Sequence, residues 1–332
     1  MLDRTYRKYI QNSKLLNENT KKLYLSKLNV IQNEIWKNCK SQTKVGKGKC
    51  LHYILQNPKA FMEKMEEYVN KTGGRLDKSK LSIHAKDSYV SVICALFRHS
   101  PGMIQKHTDL FKEWSDIHQK VREPINDKYQ SNEPDKRQQE AYIPFDELVK
   151  IRDKLKDGSN EKLLLSMYTM IPPARNDYYK TVIYDNEKEV SKDIDNYLIM
   201  NNKPYILLRK FKTSKTYKQI KLDLPSNLVK QIKISLKNNP RKFLFVSTRN
   251  NKEYKSNTFN HWLNRTLKKL TGKDNISINT LRHIYITRRD LKLEEKSGLE
   301  RREIAKKMGH SVSTQQNYLW HTYEKEKNKN KI

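Results

Sequence analysis

Acidic side chains are scarce in this chain. Asp and Glu number 37 against 68 Lys and Arg over 332 residues, which leaves a formal charge of +31. A solvated surface needs no such imbalance, so the expected partner is a polyanion. Cysteine is nearly missing as well. Cys39, Cys50 and Cys94 are odd in number and have no CxxC spacing. That argues against a disulfide framework or a thiolate zinc site and fits a reducing compartment. No apolar run approaches the roughly 18–20 residues of a membrane span, and the opening MLDRTYRKYI lacks the apolar stretch of a secretory signal. An intracellular protein is therefore expected. No internal repeat is found, and low complexity is confined to EKEKNKNKI at the C-terminus.

What remains is enough for packed cores. Hydrophobic residues make up 36% of the chain, 19 tyrosines among them, so global disorder is not expected. At this length one large or two medium domains are expected. The positive charge belongs to both halves: residues 1–140 carry 27 basic and 16 acidic side chains, and the remainder 41 and 21. A cationic surface over the whole molecule follows, in place of a basic tail on a neutral body.

The first third reads as helices. Thr20 is a candidate cap for a segment with Tyr24, Leu28, Ile31 and Ile35 on one face. Asn57-Pro58 marks a second start, with Phe61, Met65, Tyr68 and Val69 behind it and Gly73-Gly74 as its stop. A third segment groups Tyr89, Val92, Ile93, Leu96 and Phe97 before Ser100-Pro101-Gly102. Residues 119–141 are polar, hold two prolines and show no apolar period, so they read as a linker. The expected plan is a helical domain over 1–118, the linker, a second domain over 142–323 and a charged tail over 324–332. That second domain opens with a helix from near Ile143 to Leu155. It then changes period: YLIM at 197–200, YILLRKF at 205–211 and QIKLDL at 219–224 read as three short antiparallel strands. Ser256 to Gly272 brackets another amphipathic helix. The fold class is thus mainly α with a small antiparallel β-sheet, an all-helical domain preceding an α+β domain.

Four places carry possible chemistry. IPPARNDYY exposes Arg175 after an apolar segment, because two prolines stop regular helix. The loop between the second and third strands holds Lys212, Lys215 and Lys218, any of which can hold a phosphate or donate a proton. INTLRHIYITRR buries Arg282 in a partly apolar helix, where a carboxylate or an anionic substrate should meet it. His283 beside it reads as packing. KKMGHSVSTQQNYLWH ends one helix at Gly309, puts His310 at the junction, offers Ser311 or Ser313 as the next cap and presents Tyr318 from that next helix. Singly, each of these is an ordinary surface or core residue.

In the order Arg, Lys, Arg, His, Tyr they resemble the tyrosine recombinases, the phage integrase family, over roughly residues 143–323. LRH at 281–283 and GHS at 309–311, followed by a tyrosine, are the most specific pieces. The resemblance implies a helical core-binding domain ahead of the catalytic one. It gives Arg175 and Arg282 the places of the two phosphate-binding arginines, His310 that of the GH histidine and Tyr318 that of the nucleophile. Lys212 takes the place of the hairpin lysine, with Lys215 as the alternative, and Tyr323 stands in reserve for Tyr318. The sequence departs from the family where a His or Lys is usual and Asn279 stands, which cannot act as a general base. It departs again where Tyr178 replaces an acidic residue, with Asp177 adjacent. The implied reaction is site-specific cleavage and rejoining of double-stranded DNA through a 3′-phosphotyrosyl link, by a DNA-induced homotetramer, without metal or cofactor and without a membrane. Such an enzyme would work wherever its target DNA lies. A type IB topoisomerase and a non-catalytic DNA-binding protein with a degenerate site are the rival readings.

Overall fold

The computed structural model describes residues 2–36, 49–68 and 80–320. Cys39, the Gly73-Gly74 stop, Tyr323 and the tail at 324–332 lie outside them. The chain divides into two compact units, Met1–Gln130 and Ser131–Ile332.

The first unit is helical, with Leu2–Asn12, Glu18–Val30, Cys50–Leu55, Pro58–Glu67, Ile83–His99 and Thr108–Ser131 as its main helices. The second of these is capped by Asn17, whose side chain accepts from the Thr20 amide, and not by Thr20 itself. Ile83–His99 is buried through Tyr89, Val90 and Val92–Phe97, wider than the one stripe expected. Trp114 fills the centre, fully buried, with its indole N–H on the Leu55 carbonyl at 2.9 Å and its ring against Phe61. Cys50 is disulfide-bonded, against the expectation from cysteine count, while Cys94 is free and buried. No described helix is long and apolar enough to cross a membrane.

The linker expected at 119–141 is largely helix. Thr108–Ser131 runs through Pro124 and ends before Asn132, which turns left-handed at φ 52°. Its buried residues, Trp114, His118, Val121 and Ile125, do form a helical stripe. His118 hides that period in the sequence because it scores as polar, yet its ring is paired with Asp87 and Ser91. A proline removes one amide bond, and the apolar face outweighs that loss. A further helix, Lys136–Ala141, follows, with a reciprocal cap between Asp135 and Gln138.

In the second unit, helices surround a four-stranded sheet: β1 Val182–Tyr184, β2 Asn196–Ile199, β3 Tyr205–Leu208 and β4 Ile220–Asp223, in that order across the sheet. The three expected strands pair antiparallel, with Leu198 opposite Ile206 and Leu208 opposite Ile220. β1 adds in parallel to β2, so the sheet is mixed and not purely antiparallel. Three residues, VIY, are too short to show a period of two, which is why β1 goes unread in the sequence. β4 alternates buried and exposed, whereas β2 and β3 are buried on both faces. One face joins the main core through Leu198, Ile206, Leu208 and Leu222, and the other forms a small cluster of Tyr197, Ile199, Tyr205 and Leu207. Asn160–Thr169, Ser226–Asn238 and Ser256–Thr271 pack on that core, the last closed by Gly272 at φ 70° as its position predicts.

Candidate active site

Helix Ile278–Thr287 is the backbone of the site. Ser277 and Thr280 cap it reciprocally, and apolar neighbours bury it from Thr280 to Ile286. Arg282 is thereby carried into the interior, with 1% of its surface exposed. Among the described residues no carboxylate hydrogen-bonds it. Its Nη1 donates to the carbonyls of Pro173 (2.6 Å) and Met308 (3.0 Å), its Nη2 to Met308 (3.0 Å), and its Nε to the Tyr318 hydroxyl (3.2 Å). Met308 caps helix Gly298–Lys307, so the guanidinium sits at that helix's negative end. Burial lowers the Arg282 pKa, partly offset by Tyr318.

Gly309 makes the junction. Its φ of 67° favours glycine, and a Cβ there would meet Ile220 Cδ1 at 3.1 Å. The turn aims the next carbonyl at the same region: Gly309 O accepts from Arg175 Nη1 (3.3 Å) and Thr213 Oγ1 (2.7 Å). Two arginines from distant segments are thus gathered by consecutive carbonyls, 308 and 309. Asp177, and not Tyr178, brings a carboxyl within electrostatic reach of both arginines. Burial raises its pKa to about 6, against the opposing pull of Arg175 and Arg282. Tyr178 is fully buried, edge-on to Tyr168 at 5.7 Å, and belongs to the core.

Of the two candidate caps, Ser311 is the one used, accepting from the Thr314 amide. The helix it starts, Val312–Gln316, is short, so Tyr318 stands in the turn beyond it and not on the helix. The Tyr318 hydroxyl donates to Asn279 Oδ1 at 3.2 Å while accepting from Arg282. Asn279 and Arg282, three residues apart, therefore hold one hydroxyl from one helix face. His283 and Thr287 hold the same residue by its backbone: His283 Nδ1 donates to the Tyr318 carbonyl at 3.0 Å, and Thr287 Oγ1 at 3.4 Å. The His283 ring stacks on Trp320 at 4.2 Å, and burial lowers its pKa to about 4. His310 is 3% exposed and lies 5.3 Å from the Tyr318 ring, centre to centre. Its Nδ1 donates to the Ser311 carbonyl at 3.1 Å, and burial, with Arg282 and Arg175 nearby, lowers its pKa to about 3.

A cleft of ≈ 320 Å³ opens over this floor, lined by Arg175, Asn176, Asn257, Asn260, Asn279 and Arg282. Four of the six expected site residues, Asn279, Arg282, His310 and Tyr318, are joined by hydrogen bonds or ring contacts, and Arg175 reaches the same floor through Gly309 O and lines the cleft. Lys212 is not among them: it is exposed on the connection from β3 to β4, as are Lys215 and Lys218. That connection carries a short helix, Ser214–Tyr217, in place of a plain loop. Thr213 and the positioning contacts of His283 were not legible as site features. The only sequence signals were a hydroxyl beside a hairpin lysine and a histidine four residues after Asn279.

The phage integrase family model matches residues 192–325, which takes in β2 to β4 and every site residue except Arg175. A solved structure described as the crystal structure of XerA recombinase is similar at 15% identity, over 93% of this chain and 98% of that one, with a TM-score of 0.39. No curated protein matches the chain. Residues 192–325, which hold LRH at 281–283 and GHS at 309–311, are thus similar to the phage integrase family, the tyrosine recombinases.

Proposed function

We propose that this protein is a site-specific DNA recombinase that cuts and rejoins double-stranded DNA through Tyr318. The observation that carries the reading is the Tyr318 hydroxyl, held 3.2 Å from Arg282 Nε and 3.2 Å from Asn279 Oδ1 beside a cleft that Arg175 also lines. A scissile phosphate in that cleft would lie within reach of the phenol and both guanidiniums. As the Tyr318 oxygen bonds to phosphorus, charge grows on the non-bridging oxygens, where planar guanidiniums that stay charged are the suited donors. The bond to the 5′-oxygen breaks, and Lys212 gives that oxygen its proton. Lys212 is favoured over Lys215 because its neighbour Thr213 is anchored on Gly309 O, whereas Lys215 lies on the helix beyond. The product is a 3′-phosphotyrosyl link whose bond energy a partner strand's 5′-hydroxyl can reclaim. A formal charge of +31 over both units supplies phosphate contacts along the duplex. Exchange between two duplexes implies a DNA-assembled tetramer, acting wherever the target DNA lies.

The test is a nicked suicide duplex, which traps the covalent adduct by losing the strand needed for religation. Wild-type protein should form an adduct that survives denaturation, and Tyr318→Phe should form none while still binding DNA. Absence of any wild-type adduct across candidate sites would leave a DNA-binding protein without strand-breaking activity. Relaxation of supercoils without strand exchange would favour the topoisomerase reading.

A further inference from the structure

The connection from β3 to β4 is held to one turn at three points. Phe211 is buried in the main core at its start, and Ile220 at its end. Both lie against Gly309, where a Cβ would meet Ile220 Cδ1 at 3.1 Å and Phe211 Cδ2 at 3.5 Å. Between them Thr213 Oγ1 donates to Gly309 O at 2.7 Å. The Thr213 carbonyl meanwhile accepts from the Thr216 and Tyr217 amides at 3.0 and 3.1 Å, and so opens helix Ser214–Tyr217.

Lys212 stands between two of these anchors. Phe211 before it and Thr213 after it are both tied down, so its backbone is fixed although its side chain is exposed. Neither Lys215 nor Lys218 adjoins any of the three points. The anchors also differ in kind. Phe211 and Ile220 hold by packing, which has no preferred direction. The Thr213 bond is directional, and its hydroxyl has a single proton to give. Gly309 O has two lone pairs, and Arg175 Nη1 takes the other at 3.3 Å. One carbonyl of the turn before His310 thus serves both an arginine of the cleft and the connection that bears Lys212. When that arginine turns to a phosphate, Thr213 keeps the oxygen satisfied.

We propose that Thr213 is the positioning residue of Lys212: its hydroxyl, hydrogen-bonded to Gly309 O, holds the lysine where the leaving 5′-oxygen needs a proton. The proposal rests on the reading of Lys212 as the acid of the cleavage step. As the bond from phosphorus to the 5′-oxygen breaks, the Lys212 ammonium passes one proton to that oxygen and is left as an amine. Thr213 moves no proton itself and acts only through the backbone it shares with Lys212. A proton transfer falls off steeply when donor and acceptor are misplaced by even 1 Å or so, which is why an exposed lysine needs a fixed stem.

Single-turnover adduct formation on suicide duplexes with oxygen or sulfur at the scissile 5′-position tests this in the full chain. On oxygen, Thr213→Val should slow cleavage between about tenfold and a hundredfold, the reach of a misplaced catalytic group. On sulfur, which leaves as thiolate without a proton, it should match wild type. Thr213→Ser, which keeps the hydroxyl, should cut both duplexes as wild type does. Added to Lys212→Ala, Thr213→Val should slow cleavage no further, because the donor it serves is already gone. An equal loss on both duplexes, no rescue by Thr213→Ser, or a full further loss in the double variant would each overturn the proposal. If valine is not accommodated, Thr213→Ala takes its place with the same expectations. Unimpaired Thr213→Val beside a crippled Lys212→Ala would remove the proposal alone. Lys212→Ala that cuts the oxygen duplex at the wild-type rate, or no wild-type adduct at all, would remove the lysine's role and the proposal with it.

Discussion

Arg282 and Lys212 are both cations assigned to one phosphate, yet they are built in opposite ways. Arg282 is 1% exposed and spends four N–H bonds on Pro173, Met308 and Tyr318. Lys212 is exposed on a connection whose nearest tie to the site is Thr213. On the proposed reading, the difference follows from what each would do. A group that stabilises charge gains from being fixed before charge appears, because it then pays no reorganisation at the transition state. A proton donor need only reach the leaving oxygen during the step, so it can stand on an exposed connection. On that reading the buried floor is structural as well as chemical, whereas the Lys212 side chain takes no part in the packing.

Arg282→Lys is the hardest test of that contrast. An ammonium cannot span Met308, Pro173 and the phenol together. Stability should drop on the order of 3 kcal/mol, as when a buried charge loses its partners. Adduct formation by the folded fraction should fall by about a hundredfold or more. Thermal unfolding and single-turnover cleavage, run on the same preparation, separate the two losses. Full stability with lost cleavage would mean that the carbonyl contacts contribute little.

Lys212→Ala should lose cleavage on the order of a hundredfold with no change in unfolding temperature. A duplex with sulfur in place of the scissile 5′-oxygen needs no proton on leaving, so it should be cut equally well by wild type and Lys212→Ala. Lys215→Ala should behave as wild type on both substrates. A thiol substrate that discriminates between Lys212→Ala and wild type would place Lys212 on the phosphate and not on the leaving group.

The same contrast governs what could be read from the sequence. Strands β2 to β4, the helix closed by Gly272 and the arginines on either side of them are legible because short-range pattern and position decide them. The contacts that make the floor are not. Carbonyls 173, 308 and 309 are invisible as ligands, since every residue has one, and the left-handed turn at Gly309 that sets the last two in place shows only in the structure. His118 concealed the stripe of Thr108–Ser131 because it is a polar residue satisfied inside a core. β1 escaped through brevity. His283 read as packing, correctly, but its bond to the Tyr318 carbonyl is a fact of tertiary structure.

Titration provides a smaller effect, in which the histidines act only in acid and Asp177 acts up to neutral pH. The pKa values of His283 and His310 are lowered in the fold to about 4 and about 3 from 6.5. The unfolded chain therefore binds protons that the native site refuses, and stability should be intact above pH 6.5 and decline as pH falls toward 4 and then 3. Asp177, raised from 3.8 to about 6, acts in the opposite sense. Its contribution is full below 3.8 and lost as pH rises through 6. Asp177→Asn, which mimics the protonated acid, should thus melt above wild type at pH 7 to 8 and together with it near pH 3.8. Melting curves across that range that show no gap at pH 8 would mean that the two arginines keep Asp177 ionised without penalty.

Asn279 should matter least, although it sits on the reacting hydroxyl. Its Oδ1 accepts one hydrogen bond from Tyr318 at 3.2 Å, and Arg282 Nε holds the same oxygen from the other side. Removing it leaves the phenol with one of its two anchors, and a single neutral hydrogen bond contributes about 1 kcal/mol net. Its amide cannot take the proton at any ordinary pH, so no base is lost with it. Asn279→Ala should therefore slow single-turnover cleavage by less than about tenfold, the rate equivalent of that one bond, and by the same factor from pH 6 to 9. DNA affinity should not change, because the side chain bonds a hydroxyl and not a phosphate. A much larger loss, or one that grows toward low pH, would mean that Asn279 takes part in moving the proton itself.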